Sequence, residues 1–300
     1  MPPIIATLIP VIAFGFVSYL LSNTLTAMSI KLAHRIDAQA HPNHRSSHKQ
    51  PTPRIGGIGP VGGFLVIFAV MLIGFTTYQN LLGYSPADEI PLLFGMGIIA
   101  ATLLASVLGF VDDLGKIGTA GKFVGQAIVG IIPVACGLTI QSLEFPFLGI
   151  LILPEFVGWI LTWLWIVLLM NVVNFMDGIN GLSGRFMEVF GIAMIVIAIN
   201  TSWRLEIAWV GAIILGASAG FLPYNLGQAK TFMGDCGSQA LGALFACVVL
   251  LLHNNNIQTN PINPETGEFV RDSMIAGVVV CFLLIFDVIY TIIKRMKQGE

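Results

Sequence analysis

Charge is scarce in this chain. Of its 300 residues, 10% are Asp, Glu, Lys or Arg, whereas a soluble domain carries about 25%. That shortage excludes an ordinary water-soluble globule. The formal net charge of −2 gives no overall bias toward nucleic acid, so the placement of charges matters more than their sum. Cysteine is scarce too. Cys136, Cys236, Cys247 and Cys281 stand far apart with no CxxC pair, which argues against a thiolate metal site and leaves them as small hydrophobes in helices. A cleavable signal peptide is not expected, because no cationic start precedes the first apolar run and its first lysine is Lys31. No internal repeat is visible. The apolar runs are continuous rather than alternating, so strands, and with them a membrane barrel, are not expected.

Hydrophobic residues make up 56% of the chain, and the mean hydropathy is +0.86. Apolar runs fall at 4–29, 56–78, 91–111, 122–140, 156–172, 186–200, 207–225, 237–253 and 273–293. A helix needs about 20 residues to cross a bilayer, so the sixth run is short. The expected fold is all-α: one polytopic transmembrane helical bundle over 1–300 with about nine spans. Twelve of the fourteen lysines and arginines flank the odd-numbered connections. Only Arg204 and Arg271 lie opposite, which predicts a cytoplasmic face for the odd connections and an N-terminus outside.

The polar segments "HPNHRSSHKQPTPRIGG", "VDDLGKIGTAGK", "NVVNFMDGINGLSGR" and "NLGQAKTFMGDCGS" all belong to that face. They predict cytoplasmic site loops at about 30–55, 112–121, 173–185 and 226–236. An enzyme taking a soluble substrate from the cytoplasm would need this one-sidedness. A transporter would place its polar groups near the midplane. Asp112, Asp113, Asp177 and Asp235 repel one another if gathered, so they call for a cation, and oxygen ligands select Mg2+ or Mn2+. Asn171, Asn174, Asp177 and Asn180 recur every three residues, a spacing that would align them on one helix face. Phe232, three residues before Asp235, is placed to stack a flat ring. Arg45, Ser46, Ser47, His48, Lys49 and Arg54 are phosphate-binding types. His41, His44 and His48 have helical metal spacing, but Pro42, Pro51 and Pro53 argue for a loop rather than a zinc site. Asp287, well inside the last run, is expected to face the bundle, because an unpaired charge in lipid is costly.

Taken together, "HRSSHKQPTPRIGG", "GFVDDLGK", "NVVNFMDGINGLSG" and "KTFMGDCGSQALG" resemble, in order and topology, the polyprenyl-phosphate N-acetylhexosamine-1-phosphate transferases. The likeness runs over about residues 30–293. Its "HRSSH…PTPR" form is more similar to the initiators of O-antigen and enterobacterial antigen than to the peptidoglycan branch. The resemblance implies a multi-pass enzyme of the bacterial inner membrane, its active site facing the cytoplasm. Such an enzyme moves a sugar-1-phosphate, of N-acetylhexosamine or 6-deoxy-N-acetylhexosamine type, from a UDP-sugar to undecaprenyl phosphate, releases UMP, and starts a cell-surface polysaccharide. It implies Mg2+ as cofactor, with Mn2+ as a substitute, and a homodimer in the lipid membrane.

By the same resemblance Asp235 is the metal ligand, and Asp112 and Asp113 are the catalytic pair acting on the acceptor phosphate. Asn174, Asp177 and Asn180 hold the nucleotide sugar, Phe232 stacks on uracil, and Lys116 and Lys122 contact the diphosphate. Arg45, Ser46, Ser47, His48 and Arg54 form the phosphate-binding segment. Asn180 stands where many relatives have a second aspartate. The family also continues past the last span with a histidine-containing loop, so truncation after "KRMKQGE" is expected. Two other readings stand beside the transferase: a secondary transporter of an anionic sugar or nucleotide, and a non-catalytic family member.

Overall fold

The computed structural model describes residues 4–42, 50–82, 90–145, 149–200, 205–258 and 274–298. Its helices are α1 (Ile4–Ile36), α2 (Ile58–Leu82), α3 (Leu92–Asp113), α4 (Thr119–Ala135), α5 (Glu155–Met176), α6 (Leu182–Asn200), α7 (Leu205–Asn225), α8 (Gly234–Gln258) and α9 (Met274–Gln298). Each covers one apolar run of the sequence. Six of them are long and apolar enough to cross a membrane. Two further stretches are apolar but shorter, Ile58–Gly74 and Thr119–Ala135, and α9 passes the test only as a bent pair of segments. The sixth run, read as short, is a full candidate span at Leu182–Ile199. Its polar first turn, Leu182 to Arg185, continues the helix below the apolar stretch.

The chain also forms two small antiparallel hairpins that the sequence reading did not expect. The strands β1 (Gln39–Ala40) and β2 (Thr52–Pro53) pair with each other, as do β3 (Ser142–Phe145) and β4 (Gly149–Ile152). Both lie in connections outside the apolar helices, where short strands satisfy their own backbone groups.

The bundle is built around α8. An 18-residue window of α8 is buried throughout, including Leu241, Leu244, Phe245 and Leu251. It packs chiefly against α3 and α5, while α7 lies between α1 and α6. The outer helices turn large apolar side chains outward, among them Ile12, Ile73, Phe123, Ile160 and Val279. A bundle that is apolar both inside and out suits lipid, where burial of oil-like side chains does not distinguish the two faces. Cys236, Cys247 and Cys281 are buried free thiols and Cys136 is half-buried, in keeping with a packing role.

Asp287 departs from expectation, because it is exposed on the outer surface of α9. The apolar stripe Cys281, Leu284 and Val288 is the buried one. That stripe sets the rotation of the helix and carries Asp287 to the outside.

Candidate active site

The site is assembled from helix ends. Gly109, one turn before the end of α3, lies so close to α8 that a Cβ there would overlap the carbonyl group of Asp235. This contact sets the last turn of α3 against the first turn of α8. Asp113 then caps α8: the backbone N–H of Asp235 donates to its Oδ1 (3.1 Å) and that of Cys236 to its Oδ2 (2.9 Å). A carboxylate at a helix N-terminus satisfies otherwise orphaned donors and complements the helix dipole. Arg54 Nε lies 3.6 Å from Asp113 Oδ1. Gly234 opens α8 with φ +69°, and a Cβ on it would overlap the Arg54 carbonyl oxygen. Only glycine accepts both the left-handed backbone and the lack of room.

Asp112 is the next residue back along α3, about 100° around the helix, and points elsewhere. It faces Lys122, in the first turn of α4. Lys122 Nζ lies 2.8 Å from Asp112 Oδ2, donates to Asn174 Oδ1 at 3.2 Å, and forms a close ion pair with Asp235 Oδ2. Asn174 Nδ2 in turn donates to Asp235 Oδ1 and Ser238 Oγ, both at 2.8 Å. Four helix ends thus converge on one ammonium. An amide ladder continues from the cluster into the bundle. Gln239 Nε2 reaches Asp235 Oδ2 (3.5 Å), Gln126 Nε2 reaches Gln239 Oε1 (3.3 Å), and Asn171 Nδ2 donates to Gln126 Oε1 (2.9 Å).

Asp177 follows the last residue of α5. Its Oδ1 accepts from Ser183 Oγ (2.6 Å), and the Gly234 N–H also donates to its carboxyl group. Burial pushes its pKa up to about 8, and the charges of Asp235 and Asp113 act the same way, against those two hydrogen bonds. Asn225 joins two site loops: its Oδ1 accepts from Gly181 N (2.7 Å), and its Nδ2 donates to Thr231 O (2.9 Å). The segment after β2 is stitched to the start of α8 by Phe232 N to Pro53 O (2.8 Å), Gly56 N to Phe232 O and Gly57 N to Met233 O (both 2.9 Å). Beside the cluster opens a cavity of about 640 Å³, lined among others by His34, Gln50, Pro53, Asn180, Lys230 and Phe232.

The structure therefore brings together Asp112, Asp113, Lys122, Asn174, Asp177, Asp235 and Arg54. It places Phe232 and Asn180 on the adjoining cavity. Lys116 is exposed in the α3–α4 turn, outside the cluster around Lys122. Arg45, Ser46, Ser47 and His48 lie outside the described residues. The single helical face expected for Asn171, Asn174, Asp177 and Asn180 is cut short, because α5 ends at Met176. Asn180 belongs to a turn, where its Nδ2 donates to Gly227 O (3.1 Å). Gln126, Gln239, Ser238 and Asn225 were not singled out in the sequence. Two of them carried a signal: Gln126 follows Lys122, and Gln239 follows Asp235, by four residues within an apolar helix, so each lies on its partner's face.

Among the described residues no three His, Cys, Asp or Glu side chains are grouped to hold a metal ion. The groups around Lys122 Nζ are nonetheless all oxygens, two carboxylates and an amide. That donor set fits Mg2+, which takes one or two carboxylates and completes its shell with waters and substrate phosphates. It does not fit zinc.

The family model described as "Glycosyl transferase family 4" matches residues 95–253, just over half of the chain and every helix that meets at the cluster. The chain is 25% identical over 297 residues to the "Decaprenyl-phosphate N-acetylglucosaminephosphotransferase" of Mycobacterium leprae (strain TN), covering 95% of this chain and 72% of the relative. It is 28% identical over 290 residues to the "Probable undecaprenyl-phosphate N-acetylglucosaminyl 1-phosphate transferase" of Bacillus subtilis (strain 168), covering 97% and 73%. A third relative is the "Phospho-N-acetylmuramoyl-pentapeptide-transferase" of Bifidobacterium adolescentis, 28% identical over 273 residues, covering 76% and 73%.

Proposed function

Since this chain belongs to glycosyl transferase family 4, among the polyprenyl-phosphate N-acetylhexosamine-1-phosphate transferases, we propose that it transfers an N-acetylhexosamine-1-phosphate from a UDP-sugar to undecaprenyl phosphate at the cytoplasmic face of the bacterial inner membrane. The product would start a cell-surface polysaccharide. The observation that carries the reading is the convergence of Asp112, Lys122, Asn174 and Asp235 at one end of an apolar bundle, beside a polar cavity. A soluble anionic donor and a lipid-borne phosphate can meet only at such an end. The names of the relatives make UDP-N-acetylglucosamine the first donor to test.

In this reading an oxygen of the acceptor phosphate attacks the sugar-bearing phosphorus of the donor. The bond from that phosphorus to the bridging oxygen breaks, and UMP leaves with the electron pair. The second pKa of a phosphate monoester is about 6, so the acceptor is already dianionic at neutral pH and needs little help from a base. Direct attack is therefore favoured over an aspartyl-phosphate intermediate. Asp112 and Asp235 would hold Mg2+, or Mn2+ in its place. The ion would neutralise charge on the diphosphate, which is most of what phosphoryl transfer asks of an enzyme. Asp113 accepts from the N–H groups of Asp235 and Cys236 and lies beside Arg54, so in this reading it acts by fixing the turn that presents Asp235. Asn174 orients the Asp235 carboxylate. Phe232 and Asn180 face the cavity where the nucleoside would lie, and Lys116, Arg45, Ser46, Ser47 and His48 would contact the phosphates. Nothing in the site favours a transporter, whose polar groups would sit at mid-membrane.

The test is UMP release by the purified protein, given undecaprenyl phosphate, Mg2+ and a panel of UDP-sugars. Release that depends on lipid and on Mg2+, and that falls by about 100-fold or more in Asp112→Asn and Asp235→Asn, is the expected result. Release that is indifferent to both substitutions would remove the cluster from the chemistry.

A further inference from the structure

Lys122 is held in an unusual way for a lysine expected to contact substrate. An ammonium has three N–H donors. Here all three have oxygen partners on three other helices: Asp112 on α3, Asn174 on α5 and Asp235 on α8. These are the oxygens that the proposed function assigns to, or sets beside, the divalent cation. An ammonium nitrogen and a metal ion cannot both sit between the Asp112 and Asp235 carboxylates. Magnesium binds oxygen at about 2.0–2.1 Å, which would leave the two positive centres in contact, with no anion between them.

The residue has the means to move. Its side chain is a flexible four-carbon stem, and it is about one-fifth exposed. It stands in the first turn of α4, four residues after Gly118, where an added Cβ would meet nothing within 4 Å. The amide ladder of Gln126, Gln239 and Asn171 holds the Asp235 side of the cluster from below. The Asp235 carboxylate, held also by Asn174, can therefore stay in place while the ammonium leaves.

We propose that Lys122 is the internal counter-cation of the Asp112–Asp235 pair, that it competes with the divalent ion for those oxygens, and that its displaced ammonium becomes available to the donor diphosphate. The proposal rests on the cation site of the preceding section. It makes loading of the metal an exchange of one cation for another. The two carboxylates are never left facing each other unscreened, and the arriving donor gains a positive partner at the moment the metal is in place.

The experiment is Mn2+ binding to the full chain in detergent micelles, followed by loss of the free-Mn2+ electron paramagnetic signal, without substrate. Wild type is compared with Lys122→Met and Asp235→Asn. Removal of the competing ammonium should tighten Mn2+ binding in Lys122→Met by about ten-fold or more, the scale of one lost charge contact. Binding in Lys122→Met that is unchanged or weaker overturns the exchange. In wild type the same titration should raise the labelling of Lys122 by a water-soluble amine reagent, read by mass spectrometry. This second measurement needs no variant to fold, and labelling that stays level or falls overturns the proposal. Mn2+ binding that Asp235→Asn leaves intact would instead overturn the cation site itself, and the exchange with it.

Discussion

Asp112 and Asp113 are neighbours in sequence with different partners, Lys122 for one and the first turn of α8 for the other, and the difference could not be read from "VDDLGK". Which of two adjacent carboxylates faces Lys122 depends on the rotation of α3, and that depends on packing at Gly109. Asp177 illustrates a second limit. Its place among glycines marked it as a site residue, but its protonation depends on burial that no sequence pattern reports. With its pKa pushed up to about 8 by burial, the folded protein keeps a proton there that the unfolded chain has already lost above its ordinary value near 4. Folding then binds a proton between about pH 4 and pH 8. Stability from this group is full at the acid end, falls as pH rises through that window, and levels off above it. Asp177→Asn keeps a hydrogen-bond acceptor and cannot ionise. Without divalent ion or nucleotide, the wild-type melting temperature should fall between pH 5 and pH 8.5 more steeply than that of Asp177→Asn. The gap at the alkaline end should correspond to on the order of a few kcal/mol. Parallel curves would place the Asp177 proton elsewhere.

At the scale of helices the sequence was most informative about extent and least about rotation. The nine apolar runs each became a helix, because continuous hydrophobicity over about 20 residues leaves the backbone no other way to satisfy its hydrogen bonds in lipid. Their faces could not be assigned from hydrophobicity, because α5 is the more apolar of the two and yet turns Trp159 and Leu164 outward, whereas an 18-residue window of α8 is buried. The site depends on rotation, and small residues fix it where backbones touch. Gly109 is the clearest case. A methyl group there has no free space against the Asp235 carbonyl, and neither backbone can yield without moving a helix. Gly109→Ala should shift the first turn of α8 away from α3. A displacement of about 1 Å at reacting groups costs about 100-fold in rate, and overpacking adds about 1–3 kcal/mol of instability. UMP release by this variant should therefore fall about 100-fold while the protein still inserts and purifies as a folded species. Near-normal activity would mean that the contact between α3 and α8 does not set the geometry of the cluster.

At the scale of the whole molecule, every described lysine and arginine lies toward the end that carries the cluster: Lys31 and Arg35 near the end of α1, Arg54 before α2, Lys116 between α3 and α4, Lys122 in the first turn of α4, Arg185 in the first turn of α6, Lys230 between α7 and α8, and Lys294, Arg295 and Lys297 on α9. Arg295 also lies over the Phe175 ring, 5.8 Å from its centroid, which ties the last turn of α9 to the end of α5. The sequence placed these charges on one side by counting connections, and the fold brings them to one end in space. If that end faces the cytoplasm, as positive charge predicts, the UDP-sugar arrives from where it is made and needs no transport. The prediction is tested in a Cys136→Ala background, whose three remaining thiols are buried, with a single new cysteine at either end. Gly118→Cys, in the exposed α3–α4 turn, should react with a membrane-impermeant maleimide only in inside-out vesicles. Glu155→Cys, at the exposed start of α5 on the opposite end, should react only in intact spheroplasts. The reverse pattern would put the carboxylates outside, away from any cytoplasmic donor, and UMP release would then require a donor supplied from that side.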